Sequence, residues 1–142
     1  MSTTVQDQVV QDFVESMPST NHLGIEILEL GEGRALFRMR NRSELTFDGT
    51  VVQGGIVATL ADYAAVAACG TLLDEGWLMA TTGAETHNLA AADGSSLIAV
   101  AEVIKPGRRL AVARAEVFND SVDGRKCLTG LFTATGVAGK TT

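Results

Sequence analysis

Apolar positions recur along this chain with two different periods, and the change of period marks out its elements. Val5, Val9, Val10, Phe13, Val14 and Met17 fall at helical spacing, which predicts a short amphipathic helix over about residues 3–17, ended by Pro18. Ile25 to Leu30 reads as a strand and Gly31-Glu32-Gly33 as a turn. Arg34 to Arg40 alternates, with Ala35, Phe37 and Met39 on one face and charges on the other, so a hairpin is expected. Asn41 to Thr50 is polar and irregular. From Gln53 to Leu73 the pattern turns helical again. Ala58, Ala61, Ala64, Ala65, Ala67 and Ala68 favour helix with little bulk, and apolar residues occupy nearly every face, so this helix is expected to be buried. Gly70 and Asp74-Glu75-Gly76 mark its end. Four strand-like runs follow, Leu78 to Leu89, Leu97 to Lys105, Arg109 to Asn119 and Arg125 to Gly136, separated by turn signals at Ala92-Asp93-Gly94, Pro106-Gly107 and Asp123-Gly124. The predicted fold class is α+β, with one long central helix beginning near Gly54 and wrapped by an antiparallel sheet.

The bulk properties narrow the field. A length of 142 residues suits a single domain spanning 1–142, with a core that needs no metal or disulfide. A net charge of −6 argues against nucleic acid as the main partner, since phosphate binding wants a basic surface, yet it leaves room for a small anion at a local basic patch. Cys69 and Cys127 lack CxxC spacing and sit among apolar neighbours, which fits reduced, packed thiols in a cytoplasmic protein. Asp7, Asp12 and Glu15 stand where a signal peptide would be basic and then apolar. Gly49 to Leu73 is interrupted by Asp62 and by glycines, so no membrane span is expected. His22, expected in a loop, and His87, expected in a strand, make no zinc-spaced cluster, so no metal is expected. There is no G-x-S-x-G elbow, and Leu36 stands where a third dinucleotide-site glycine would follow Gly31 and Gly33. Tyr63 and Trp77 read as packing residues.

The segment Val51 to Asp62 carries the most chemistry. Gly54 and Gly55 open the central helix, where free N–H groups meet the positive end of the helix dipole. Without side chains, they let an acyl carbonyl approach the backbone, as an oxyanion site requires. They would equally let the helix pack tightly on the sheet, and spacing alone does not choose. Asp62 is the only charge between Asp48 and Asp74. Its helical-face neighbours Ala58, Thr59, Ala65 and Val66 are uncharged. A lone carboxylate in such surroundings is costly and marks a functional candidate, unless it faces a solvent gap or a distant arginine. Gly54 and Asp62 lie roughly 12 Å apart along a helix. One carbonyl needs both groups within about 3 to 3.5 Å. Two antiparallel helices across a two-fold axis meet that requirement, with Gly54 from one subunit and Asp62 from the other.

The order G-G-x-x-x-x-L-x-D at Gly54 to Asp62, with the Ala-rich helix and four strands after it, resembles the PaaI-like acyl-CoA thioesterases of the hotdog superfamily. The likeness runs from about His22 to Gly136. It departs in two places: Gln53 replaces the family's usual histidine, and Phe47, beside Asp48, stands where an asparagine is frequent. The resemblance implies that Asp62 is nucleophile or general base and that the Gly54 N–H polarises the thioester carbonyl. A strand threonine would position the water or the carboxylate. Thr82 fits that role best, since Thr82 to Asn88 resembles the family's T-x-x-x-x-x-N strand, with Thr81 its rival. Gln53, Gly55, Phe47 and Thr81 would contact the substrate. Lys105, Gly107, Arg108 and Arg109 resemble the stretch beside the phosphates of coenzyme A, although such a turn is also an ordinary solvated hairpin. No cofactor is implied beyond the coenzyme A of the substrate. The implied assembly is a homodimer with shared sites, paired into a dimer of dimers. Gln53 cannot exchange a proton near neutral pH, which counts against dehydration. The activity implied is hydrolysis of a medium-chain or aryl acyl-CoA. The alternative is a non-catalytic hotdog module that binds acyl-CoA or acyl lipid.

Overall fold

The computed structural model describes residues 3–139. Helix α1, Val5–Ser16, starts at a reciprocal cap: the Thr4 hydroxyl accepts from the Asp7 N–H, and the Asp7 carboxylate accepts from the Thr4 N–H, each at 3.0 Å. It stops because Met17 precedes a proline, which disfavours helical backbone, and Met17 is extended at φ −73°, ψ 128°. Pro18 then opens a second helix, α2 (Pro18–Leu23), at the first-turn position where its missing N–H costs nothing. His22 therefore lies in α2, not in a loop as the sequence suggested.

Strands β1 (Ile25–Gly31) and β2 (Arg34–Arg40) form the expected hairpin. Its two-residue turn has positive φ at both Glu32 (54°) and Gly33 (75°), the geometry that matches strand twist. After a 3₁₀ turn at Ser43–Leu45 comes helix α3, Gly54–Gly70. Strands β3 (Trp77–Asn88), β4 (Ser96–Lys105), β5 (Ala111–Asn119) and β6 (Lys126–Ala138) follow. The β5 start moves from the expected Arg109 to Ala111 because Pro106 to Leu110 are spent in the turn. All six strands form one antiparallel sheet in the order β1-β2-β4-β5-β6-β3.

The sheet curls around α3, which packs on all six of its strands. Small residues meet at the centre. Ala61, Ala64, Ala65 and Ala68 are fully buried, as are Ala99, Ala113 and Ala115 on the strands. With methyl groups on both sides, the helix axis can approach the sheet closely. Bulk is reserved for the margins, where Phe37, Met39, Leu60, Leu97, Leu128 and Phe132 close the core. Each such side chain stabilises the fold by roughly 1.5–3 kcal/mol on burial. The helix is less enclosed than its apolar pattern implies. Gly55 is exposed, and Thr59, Asp62, Tyr63 and Val66 are only partly covered. They form a stripe that the sheet leaves open and that α1 covers in part.

Candidate active site

Asp62 sits on that stripe, half-buried. Its Oδ1 accepts a hydrogen bond from Thr81 Oγ1 at 2.8 Å. Burial pushes its pKa up, while the Thr81 hydroxyl pulls it partly back. Thr82 does not take the part expected of it. Its hydroxyl donates instead to Thr133 Oγ1 at 3.1 Å. The cause is local: alternation along β3 puts Thr81 on the inner face with the buried Met79 and turns Thr82 outward, where the β3–β6 register then slips before Gly83.

Asp62 and Thr81 form the polar end of a cavity of about 260 Å³ between α1, α3 and the start of β3. The remaining lining is apolar apart from the Tyr63 hydroxyl, and that hydroxyl is occupied by Ser19 and Thr20 of α2. Val10, Phe13, Val14 and Met17 supply the α1 wall. None was expected to be a site residue, because an amphipathic pattern reports that a face is covered but not by what. In the structure Phe13 stands out as a large apolar side chain that stays 42% exposed on the helix. Gln6 fixes this wall. Buried itself, it donates to Gly70 O (2.9 Å) and Trp77 O (2.8 Å) and accepts from the Gly76 N–H (2.9 Å).

The other expected residues gather at the opposite end of α3. Gln53 is the helix cap, its Oε1 accepting from the Ile56 N–H at 3.2 Å. The Gly54 and Gly55 N–H groups have no acceptor among the described residues. A Cβ at Gly54 would lie 3.1 Å from Asn88 Nδ2, and one at Gly55 would lie 3.0 Å from Gln53 Oε1. The two glycines thus let the Gln53 and Asn88 amides close over a bare helix end. Asn88 is a site neighbour that only its place at the end of the Thr82–Asn88 motif had signalled.

Phe47 is not part of the cavity. It stands 68% exposed on a loop whose shape comes from Asp48. The Asp48 carboxylate accepts from the Thr50 and Val51 N–H groups at 2.8 and 2.7 Å, which holds its pKa below the ordinary range. The Lys105–Arg109 turn is shaped by its own chain. Lys105 Nζ donates to Pro106 O and Leu110 O, and Arg108 lies 4.9 Å over the Trp77 ring. Gly107 is required there, since a Cβ would come within 2.5 Å of Leu110 O. Ala111, just past the turn, and Thr81 both pair with Ala134, so the turn begins roughly 10 Å from Thr81 across two strand spacings. Cys69 and Cys127 are buried free thiols whose pKa values burial raises to about 11, which keeps them protonated and inert. Among the described residues there is no metal-like cluster of His, Cys, Asp or Glu, and no helix is long and apolar enough to cross a membrane.

A glycine-opened helix carrying one half-buried carboxylate, held inside a curled antiparallel sheet, is the hotdog arrangement. The comparisons with known proteins agree. The family profile described as the Thioesterase superfamily matches residues 49–125, which contain α3, β3, β4 and β5. A thioesterase family protein from Silicibacter pomeroyi is 32% identical, over 93% of this chain and 98% of that one, with a TM-score of 0.86. The chain belongs to the thioesterase superfamily. Two more distant structures share the fold. The PaaI protein of the E. coli phenylacetic acid degradation operon is 22% identical, with 99% and 100% of the two chains covered and a TM-score of 0.85. A hypothetical thioesterase from Streptococcus pneumoniae, solved with coenzyme A, is 19% identical, with 93% and 99% covered and a TM-score of 0.76. Among curated proteins none matches.

Proposed function

We propose that this protein hydrolyses a medium-chain or aryl acyl-CoA to the free acid and coenzyme A. The observation that carries the reading is Asp62, a carboxylate bonded to Thr81 at the one polar end of an otherwise apolar cavity. An acyl group in that cavity presents its thioester carbonyl to a base or nucleophile. Water supplies the oxygen that replaces sulfur, the C–S bond breaks, and the coenzyme leaves as its thiol.

The carbonyl oxygen also needs donors, and the free N–H groups at Gly54 lie too far along α3 to serve the same chain's Asp62. A homodimer removes the difficulty. Strand β3, twelve residues long, is an edge of the sheet, paired among the described residues only with β6, and so long an open edge is a template for association. Thr81 touches Asp62, and Asn88 lies against Gly54. Antiparallel pairing of two β3 strands, with Thr81 opposite the partner's Asn88, brings Asp62 of one protomer beside Gly54 of the other. The Lys105–Arg109 turn, at the Thr81 end of the sheet, supplies cations for the coenzyme phosphates. That the Streptococcus pneumoniae structure holds coenzyme A supports this reading. Such dimers pair into a dimer of dimers in this proposal, and the enzyme works in the cytoplasm with no added cofactor.

The test is a thiol-release assay over aliphatic and aryl acyl-CoA esters, with Asp62→Ala beside the native protein. Turnover by the native protein and its loss in the folded variant is the expected result. Equal rates in both would remove Asp62 from the mechanism. A second reading, acyl-CoA binding without catalysis, draws on the Gln53 amide, which is committed to capping its own helix and cannot carry a proton. Tight binding with no thiol released from any ester would establish that reading.

A further inference from the structure

We infer that helix α1 is the specificity wall of this protein and that Phe13 and Val66 set the size of the acyl group it accepts. The inference rests on the proposed acyl-CoA reading and adds where the acyl group lies.

The cavity has a direction. Val10 packs on Gly70, close enough that a Cβ there would come within 3.0 Å of Val10 Cγ2, while Tyr63 meets Ser19 and Thr20 after the far end of α1. The two helices therefore run antiparallel. The Val10–Gly70 crossing closes one end of the cavity, and Gln6 bolts it there with three hydrogen bonds. The other end carries the Asp62–Thr81 pair. From Asp62 to Gly70 is two turns of helix, roughly 12 Å. A slot of this kind, polar at one end and apolar to the Val10–Gly70 contact at the other, suits an apolar group carried on a carbonyl. An engineered apolar cavity of about 150 Å³ takes a benzene. A cavity of about 260 Å³ therefore has room for an arylalkanoyl or medium aliphatic acyl group, and the Val10–Gly70 contact at its end limits chain length.

Phe13 on α1 and Val66 on α3 both line the slot. Neither belongs to the closely packed core, with Phe13 42% exposed and Val66 only partly buried. Their side chains can change with little cost to folding. Truncating Phe13 widens the slot, and enlarging Val66 fills it.

The experiment measures kcat/KM for straight-chain acyl-CoA esters from acetyl to palmitoyl, and for phenylacetyl- and benzoyl-CoA. The proteins are the native form, Phe13→Ala and Val66→Phe, with circular dichroism and melting to establish folding. Phe13→Leu is the substitute if the alanine form does not fold. The expected result is a shift towards larger acyl groups in Phe13→Ala and towards smaller ones in Val66→Phe. One methylene in an apolar pocket is worth roughly ten-fold or more in selectivity. An unchanged chain-length profile in both variants, with turnover intact, overturns the wall while leaving the thioesterase reading standing. If the native protein hydrolyses no ester, that reading fails instead. The wall is then tested by calorimetric titration with the same esters: opposite shifts in preferred length sustain it, and identical preferences overturn it.

Discussion

At the scale of single residues the decisive pair is Asp62 and Thr81. Asp62 could be picked out from the chain because nothing else between Asp48 and Asp74 is charged. Its partner was harder to choose, since Thr81 and Thr82 are adjacent and the Thr82–Asn88 motif pointed to Thr82, whereas Thr81 is the one that bonds to Asp62. The pair yields a pH prediction. Burial raises the Asp62 pKa above its ordinary value of 3.8, and the Thr81 bond opposes that rise. Thr81→Val, which suits a strand, removes the opposition. The acid limb of kcat/KM should move to higher pH in Thr81→Val and stay in place in Thr82→Val; a pH profile of each variant checks this. Stability follows the same group with the opposite requirement. A carboxyl whose pKa is raised by folding contributes its full stability below the unfolded value and loses it as pH rises through the folded one. Asp62→Asn should therefore unfold at higher denaturant concentration than the native protein near neutral pH, and the gain should disappear on acidification towards 3.8. A gain independent of pH would show that the carboxylate is not the strained group.

At the scale of elements, the start of α3 separates folding from chemistry. Gln53, at φ −60° and ψ 134°, already has the backbone that precedes a proline, and Gly54 is the first helical residue. Proline is welcome at that position and has no N–H. Gly54→Pro should keep the helix, as read by circular dichroism, and lose the donor. Removing one oxyanion donor costs roughly 100- to 1000-fold in kcat. A folded Gly54→Pro protein with native turnover would show that the Gly54 N–H is not the carbonyl's donor. Helix α1 teaches a different lesson. Its amphipathic pattern was plain, and so was the break at Pro18. That Pro18 also opens α2 follows from capping rules, but that α1 walls a cavity depends on Gln6 reaching Gly70 and Trp77, far along the chain.

At the scale of the molecule, the proposed two-fold pairing makes a quantitative prediction. Asp62→Ala and Gly54→Pro should each be inactive alone. Mixed, dissociated and reassociated in equal amounts, they should regain about a quarter of native activity, because half the random dimers are mixed and each mixed dimer has one intact site. No recovery, with mixed dimers demonstrated, would mean that each site is built within one chain. The same scale explains what the chain reveals unaided. The sequence alone determined the strand and helix order, the hairpin with its Gly31-Glu32-Gly33 turn, the buried alanine helix and the isolation of Asp62, because periodicity, turn chemistry and local charge are properties of neighbours. Only the tertiary structure decided that Thr81 holds Asp62, that Asn88 and Gln53 cover the α3 N-terminus, that Phe47 stays outside, and that α1 closes the cavity. These depend on where a curled sheet and two crossing helices bring distant residues, which no local pattern records.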